Sequence, residues 1–244
     1  MLTNQTVDKL YKMKLNLMAD TYSRLNESDN TLSFDELFGM IVDNEWTSRQ
    51  NKRLKRLLTQ ADMRFNACIE DINYSLKRGL DKNLMIKLSE CTWLTNNRNI
   101  IITGPTGTGK TYIACAIGNM ACRQNYTVRY FRLPRLITDL ALAKAENTYN
   151  SYMKRLKDCN LLIIDDFGLA PITSENGREL LEVIEDRVQK GSTLISGQLP
   201  ITSWHPLFSD PTIADACIDR IVHNAVKIEL DGETVRGILS QNQD

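Results

Sequence analysis

The sequence predicts an α/β fold of the P-loop class: a five-stranded parallel sheet preceded by an all-helical N-terminal region. Three observations carry that expectation. A β-branched run, Asn99-Ile100-Ile101-Ile102-Thr103, leads straight into Gly104-Pro105-Thr106-Gly107-Thr108-Gly109-Lys110-Thr111, the spacing of a phosphate-binding loop. A second apolar run, Leu161-Leu162-Ile163-Ile164, stops at two adjacent carboxylates, Asp165 and Asp166. From residue 99 onward, short apolar runs alternate with helical periodicity, whereas only helical periodicity precedes them.

The elements follow in order. Residues 5–25 read as one amphipathic helix, with Val7, Leu10, Tyr11, Met18, Tyr22 and Leu25 on one face. Residues 26–31 are a polar break. Ser33-Phe34-Asp35-Glu36 has the form of a capping box and starts a second helix through Leu37, Ile41 and Trp46 toward Leu58. Residues 61–77 and 81–94 read as further short helices. The organisation expected is a helical region over 1–70, a helical linker over 71–98 and a core over 99–244. Trp46, Trp93 and Trp204 read as packing residues, and His205 and His223 as structural or exposed.

Within the core, the glycines let the loop turn its N–H groups inward, and the helix beginning near Tyr112 adds its positive end. Lys110 places a charge on the terminal phosphates of a nucleotide, and Thr111 offers a hydroxyl to Mg²⁺. A bare glycine turn would not require Lys and then Thr. The second strand spans 127–131. It is followed by helices over 133–145 and 148–157. Arg129, Arg132 and Arg135 gather around the strand's C-terminal end, as ligand contacts or as plain surface arginines. The run 161–164 suits a strand buried on both faces. In a P-loop protein, Asp165 after it orients Mg²⁺ and its waters, and Asp166 orients or deprotonates the attacking water. A helix over 175–189 leads to a fourth strand, 192–196. Ser196 or Gln198 is the polar group expected to sense the terminal phosphate. A helix over 210–223 precedes the fifth strand, 225–230.

Composition excludes more than it assigns. The 244 residues carry 30 basic and 30 acidic side chains, so overall charge points to no partner. The basic residues are uneven, however. Arg49, Lys52, Arg53, Lys55 and Arg56 fall within eight positions with no acid among them, which fits a solvated helix face or a phosphate-binding patch. No apolar stretch is long enough for a membrane helix, and residues 1–25 lack the apolar core of a secretory signal. The six cysteines form no C-x-x-C pair. Cys115 and Cys122 are expected to be buried, and a reducing cytoplasm is the expected location.

Three blocks in order, 104–111, 161–168 and 192–200, resemble the AAA+ ATPases. Leu162-Ile163-Ile164-Asp165-Asp166-Phe167-Gly168, Gln198-Leu199-Pro200 and Asp219-Arg220-Ile221-Val222-His223-Asn224 are similar to the IstB-like transposition helpers, a branch near the bacterial helicase loaders. The resemblance covers nearly the whole chain. It implies that 104–111 is the Walker A loop, that Asp165 is the Walker B acid, and that Asp166 stands where most AAA+ enzymes place Glu. It also implies that Arg220 is an arginine finger acting on nucleotide held by a neighbouring subunit, and that the C-terminal helical lid is absent. The expected activity is Mg²⁺-dependent ATP hydrolysis by a homo-oligomer joined through ATP-bridged interfaces. This assembly would form on duplex DNA, select or remodel the target and recruit a transposase, with Arg49, Lys52, Arg53, Lys55, Arg56, Arg132 and Arg135 as DNA contacts. A replicative helicase loader is the alternative. A small-molecule P-loop kinase fits less well with a second carboxylate and a trans-acting arginine.

Overall fold

The computed structural model describes residues 2–26 and 32–232. Residues 27–31 of the expected polar break and the end of the expected core, 233–244, lie outside them. The chain divides into two compact units, Met1–Arg56 and Leu57–Asp244. Residues 57–70, grouped by sequence with the N-terminal helices, thus fall in the second unit.

The first unit is helical, with one change from expectation. The helix expected over 5–25 is two helices, α1 (Leu2–Lys12) and α2 (Asn16–Asn26). They part at Lys14, whose φ of 60° no continuous helix can accommodate. Tyr11 Oη donates to Asp20 across the pair at 2.5 Å. The third helix, α3 (Phe34–Ala61), begins with the expected box: Glu36 accepts from Ser33 N–H at 2.8 Å, and Ser33 Oγ from Glu36 N–H at 3.4 Å. Glu45 on α3 is buried and accepts from Leu17 and Met18 N–H at 3.0 and 3.1 Å. It thereby caps the otherwise unsatisfied donors at the start of α2. Trp46 does not pack as expected, since it is 63% exposed.

The second unit takes in the last turn of α3, and after it comes an irregular stretch in place of the helix expected over 61–77, apart from one 3₁₀ turn at Ile69–Asp71. Two short helices follow, α4 (Lys82–Ser89), capped by Asp81, and α5 (Thr92–Thr95). The left-handed Cys91 (φ 57°) separates them.

The sheet comprises β1 (Asn99–Thr103), β2 (Val128–Arg132), β3 (Leu161–Phe167), β4 (Ser192–Gly197) and β5 (Ala225–Glu229). All strands are parallel, in the order β2-β3-β4-β1-β5. The connections run through α6 (Lys110–Arg123), α7 (Leu133–Ala145) with α8 (Tyr149–Asp158), α9 (Ser174–Arg187) and α10 (Pro211–Val222). From β1 the chain crosses to the far edge at β2, then returns through β3 and β4. Right-handed crossovers in opposite directions put their helices on opposite faces. Accordingly α6 packs with α4, while α7, α8, α9 and α10 pack in contact with one another.

The pleat of β3 follows from this sandwich. Leu162 and Ile164 join the core beneath α7–α10, with Ile101 and Ile195. Ile163 reaches the α6 face, where its Cδ1 lies against Gly118. Four consecutive apolar residues are needed because both faces are covered. Helix α6 is buried nearly all round, Cys115 and Cys122 included. Burial pushes the Cys122 thiol up to about 12.

Candidate nucleotide-binding site

Strand order assembles the site. Thr103 lies beside Gly197, Ile102 beside Ser196, and Arg132 beside Asp165. Four segments far apart in sequence therefore end at one rim of the sheet, where ligands bind in open α/β folds.

The loop from β1 to α6 has the backbone that its glycines predicted. Gly104, Gly107 and Gly109 have φ of 145°, 88° and 94°. A Cβ at Gly104 would stand 2.3 Å from the Leu230 carbonyl, so the loop's entry needs glycine on contact grounds as well. Thr108 is buried and donates to the Pro105 carbonyl at 2.9 Å, which pins the turn. Pro105 and Thr106 are exposed at its tip. Lys110 starts α6, and its ammonium donates to the Gly104 and Pro105 carbonyls at 2.7 Å each.

Asp165 is 2% exposed and lies among hydroxyls. Thr111 Oγ1 and Tyr130 Oη each donate to its Oδ2 at 2.8 Å, and Ser196 Oγ donates to its Oδ1. No Lys or Arg pairs with it among the described residues. Burial, then the charge of Asp165, raises the Tyr130 phenol well above its ordinary value, so it stays a donor at any physiological pH. Tyr130 was missed from sequence. The signal was its place between Arg129 and Phe131, which turns it to the opposite face from theirs.

Ser196 is also placed differently from expectation. It lies inside β4, fully buried, and grips Asp165. Gln198, one residue beyond β4, is exposed and lines the cavity. Asp166 has a left-handed backbone, φ 58°, inside β3, where the register against β4 shifts between Ile164 and Phe167. Its Oδ2 accepts from Arg132 Nε at 2.5 Å, and this carboxylate holds the Arg132 guanidinium above its usual range.

Lys110, Thr111, Asp165, Asp166, Ser196 and Gln198 line a cavity of about 490 Å³. Its other wall comes from the irregular segment 64–78 and includes Phe65, Ile72, Leu76 and Arg78, with Tyr112 of α6 beside them. Sequence reading overlooked this wall because a helix had been expected there.

The donor set fits Mg²⁺. The Thr111 hydroxyl and the Asp165 carboxylate are hard oxygen ligands within 2.8 Å of each other, and Mg²⁺ commonly takes one or two protein oxygens and keeps several waters.

Arg220 is not part of this cavity. Asn99, which begins β1, donates through Nδ2 to the Arg220 and Ile221 carbonyls at 3.2 and 3.0 Å. Arg220 thus sits at the opposite rim of the sheet, about 17 Å from the loop by the length of a five-residue strand. Its guanidinium pairs with Glu185 at 2.7 Å and donates to the Ala216 carbonyl at 2.9 Å. Asp215, one turn earlier on α10, faces His205 at 3.4 Å instead.

Of the expected DNA contacts, Arg49, Lys52, Arg53, Lys55 and Arg56 are all exposed on α3. Arg49 is already engaged, with Glu45 at 2.7 Å and the Lys14 carbonyl at 3.0 Å. In the second unit Arg132 and Arg135 are exposed but paired, Arg132 with Asp166 and Arg135 with Asp139 at 2.8 Å.

Comparison with known proteins adds to this geometry. The sequence profile of the IstB-like ATP binding proteins matches residues 8–242. A putative insertion sequence ATP-binding protein of Sinorhizobium fredii, y4pL, is 42% identical over 97% of both chains. The IS1162 putative ATP-binding protein of Pseudomonas fluorescens is 38% identical over 82% of this chain and 88% of its own. Among solved structures, DnaI superposes with a TM-score of 0.57 over 72% of this chain and 93% of its own, at 18% identity. The DnaC helicase loader does so with a TM-score of 0.53 over 72% and 99%, at 15% identity. These last two are likenesses of fold.

Proposed function

The chain belongs to the family of IstB-like ATP-binding proteins, and from that premise we propose that it is an ATPase that assembles on duplex DNA and serves an insertion-sequence transposase. The observation that carries this reading is the separation of parts. One rim of the sheet holds a phosphate loop with two carboxylates, and the other rim holds Arg220.

ATP would lie along the loop with its phosphates against the backbone N–H groups of 104–111 and the start of α6. Lys110 leaves the Gly104 and Pro105 carbonyls for the terminal phosphates. Thr111 and Asp165 would hold Mg²⁺, partly through water, and the ion would supply neutralising charge to the phosphates. Asp166, freed from Arg132, orients the attacking water. Gln198, at the cavity's edge, is better placed than the buried Ser196 to sense the terminal phosphate, and Ser196 keeps Asp165 in position. Arg220 leaves Glu185 to reach the nucleotide of a neighbouring copy, where it stabilises charge on the transferred phosphoryl group. The exposed cations of α3 contact the DNA backbone. A cytoplasmic location suits these partners, and no helix among the described residues is long and apolar enough to cross a membrane.

A helicase loader shares this fold. The relatives with insertion-sequence names align over most of both chains, which favours the transposition reading. ATPase activity stimulated by duplex DNA and by the transposase of the same element tests it. Mixing two inactive variants tests the interface. Lys110→Ala keeps the finger and Arg220→Ala keeps the nucleotide site, so mixed oligomers should regain activity. Arginine fingers are worth roughly 10³ to 10⁵ in rate. Mixed oligomers that stay inactive would show that Arg220 does not act in trans.

A further inference from the structure

Arg78 is 5% exposed and lines the candidate nucleotide cavity. Its Nη1 donates to the Thr108 carbonyl at 3.0 Å and its Nη2 to the Asn73 carbonyl at 3.2 Å, while its Nε is buried with no partner. Among the described residues no carboxylate pairs with it. Among the described residues, Arg187 is the other buried arginine of this unit. There, carbonyls of Leu156, Cys159 and Ser192 and the Thr193 hydroxyl surround the guanidinium, and its Nε is satisfied. Arg187 is a structural tie, whereas Arg78 keeps a donor in reserve beside a cavity.

A buried cation without an anion is costly, and the cost falls when an anion arrives. Burial already pulls the Arg78 guanidinium below its usual range. The phosphate loop makes room for it as well: a Cβ at Gly109 would stand 2.6 Å from Nη1. Lys110 is anchored at the Gly104–Pro105 end of the loop, and Arg78 at the Thr108–Gly109 end, where α6 begins. In this loop type the backbone cradles the inner phosphates and the lysine reaches the outer ones.

We propose that Arg78 is a nucleotide-binding residue whose buried charge is balanced by the part of the nucleotide common to ATP and ADP, complementing Lys110 at the terminal phosphates. This rests on the nucleotide-site reading above. It makes the irregular segment 64–78 part of the binding machinery rather than a connector.

The test is calorimetric titration of ATP and of ADP into the full-length protein and into Arg78→Met and Lys110→Ala. Arg78→Met should weaken ATP and ADP by the same factor, about 10- to 100-fold for the loss of a charged hydrogen-bonding partner. Lys110→Ala should weaken ATP more than ADP. The salt dependence of binding should flatten in Arg78→Met. If Arg78→Met binds both nucleotides within about twofold of the parent, while Lys110→Ala does not, Arg78 is only a brace for the loop and the proposal falls. If Lys110→Ala also binds normally, the nucleotide-site reading itself fails. Should Arg78→Met not remain folded at the assay temperature, Arg78→Gln replaces it. That side chain is polar but carries no charge, and the same outcomes decide.

Discussion

Two buried carboxylates, one in each unit, differ in how the fold meets their charge. Glu45 in the first unit is matched on every side: two backbone N–H groups and the Arg49 guanidinium meet it. Its charge is consumed in joining α3 to the start of α2. Asp165 in the second unit is more deeply buried, yet among the described residues only neutral hydroxyls from Thr111, Tyr130 and Ser196 meet it. Hydroxyls solvate a carboxylate without cancelling its charge. The uncancelled charge beside a phosphate loop is what a divalent cation would use. The cations follow the same division, with Arg187 saturated by the fold and Arg78 not.

The largest effects should come from the acid pair. Asp165→Asn and Asp166→Asn should each lower ATP turnover by about 10²- to 10⁴-fold, the usual worth of a positioned acid–base or charge-stabilising group. Asp166→Asn should still bind ATP and prolong ATP-bound DNA complexes. Neither should lower the melting temperature materially. A large loss of stability in Asp165→Asn would break the comparison by making Asp165 structural, as Glu45 is.

A smaller effect separates the cations of α3. Since Arg49 is engaged by Glu45, phosphate contacts should rest on Lys52, Arg53, Lys55 and Arg56. Replacing these four by Ala should leave ATP binding unchanged and lower the log–log salt slope of DNA binding by up to about 0.9 per lost contact. An unchanged slope would return this stretch to an ordinary solvated face.

The smallest effect is the mirror of the first. Glu45→Gln should cost the first unit about 2 kcal/mol, the range for hydrogen bonds to a charged group, and leave ATP affinity alone. Faster hydrogen exchange at the Leu17 and Met18 amides reads it. The pH dependence has a definite sign. The hydrogen bond from Arg49 holds the Glu45 carboxyl below its ordinary value of 4.5, aided by the Met18 N–H. Its contribution is therefore fully present above about 4.5 and lost as pH falls through the lower, folded value. Protection of those two amides, relative to their intrinsic exchange rates, should fall in acid in the parent protein and not in Glu45→Gln.

The legible parts of this protein were those whose chemistry is local. The loop 104–111, the strand 161–164 with its acids and the Ser33–Glu36 box each carry their physical reason within a few residues. The helix expected over 5–25 failed because periodicity continues across Lys14 while the backbone reverses there. The helix expected over 61–77 failed because packing placed those residues along a cavity wall, where no helical hydrogen-bond ladder forms.

Sequence alone determined that a phosphate loop, a strand ending in two acids and a distant Arg220 exist in this chain, because covalent order and residue type suffice for that. Only the tertiary structure decided which of them meet. Parallel pairing of β3 with β4 and of β4 with β1 brings Thr111, Asp165 and Ser196 together across a rim. The direction of β1 sends Arg220 to the other rim, and the closure of 64–78 buries Arg78 with no carboxylate partner among the described residues. Strand order and chain reversal are set by burying both faces of the sheet at once, a global condition that no short stretch of sequence contains.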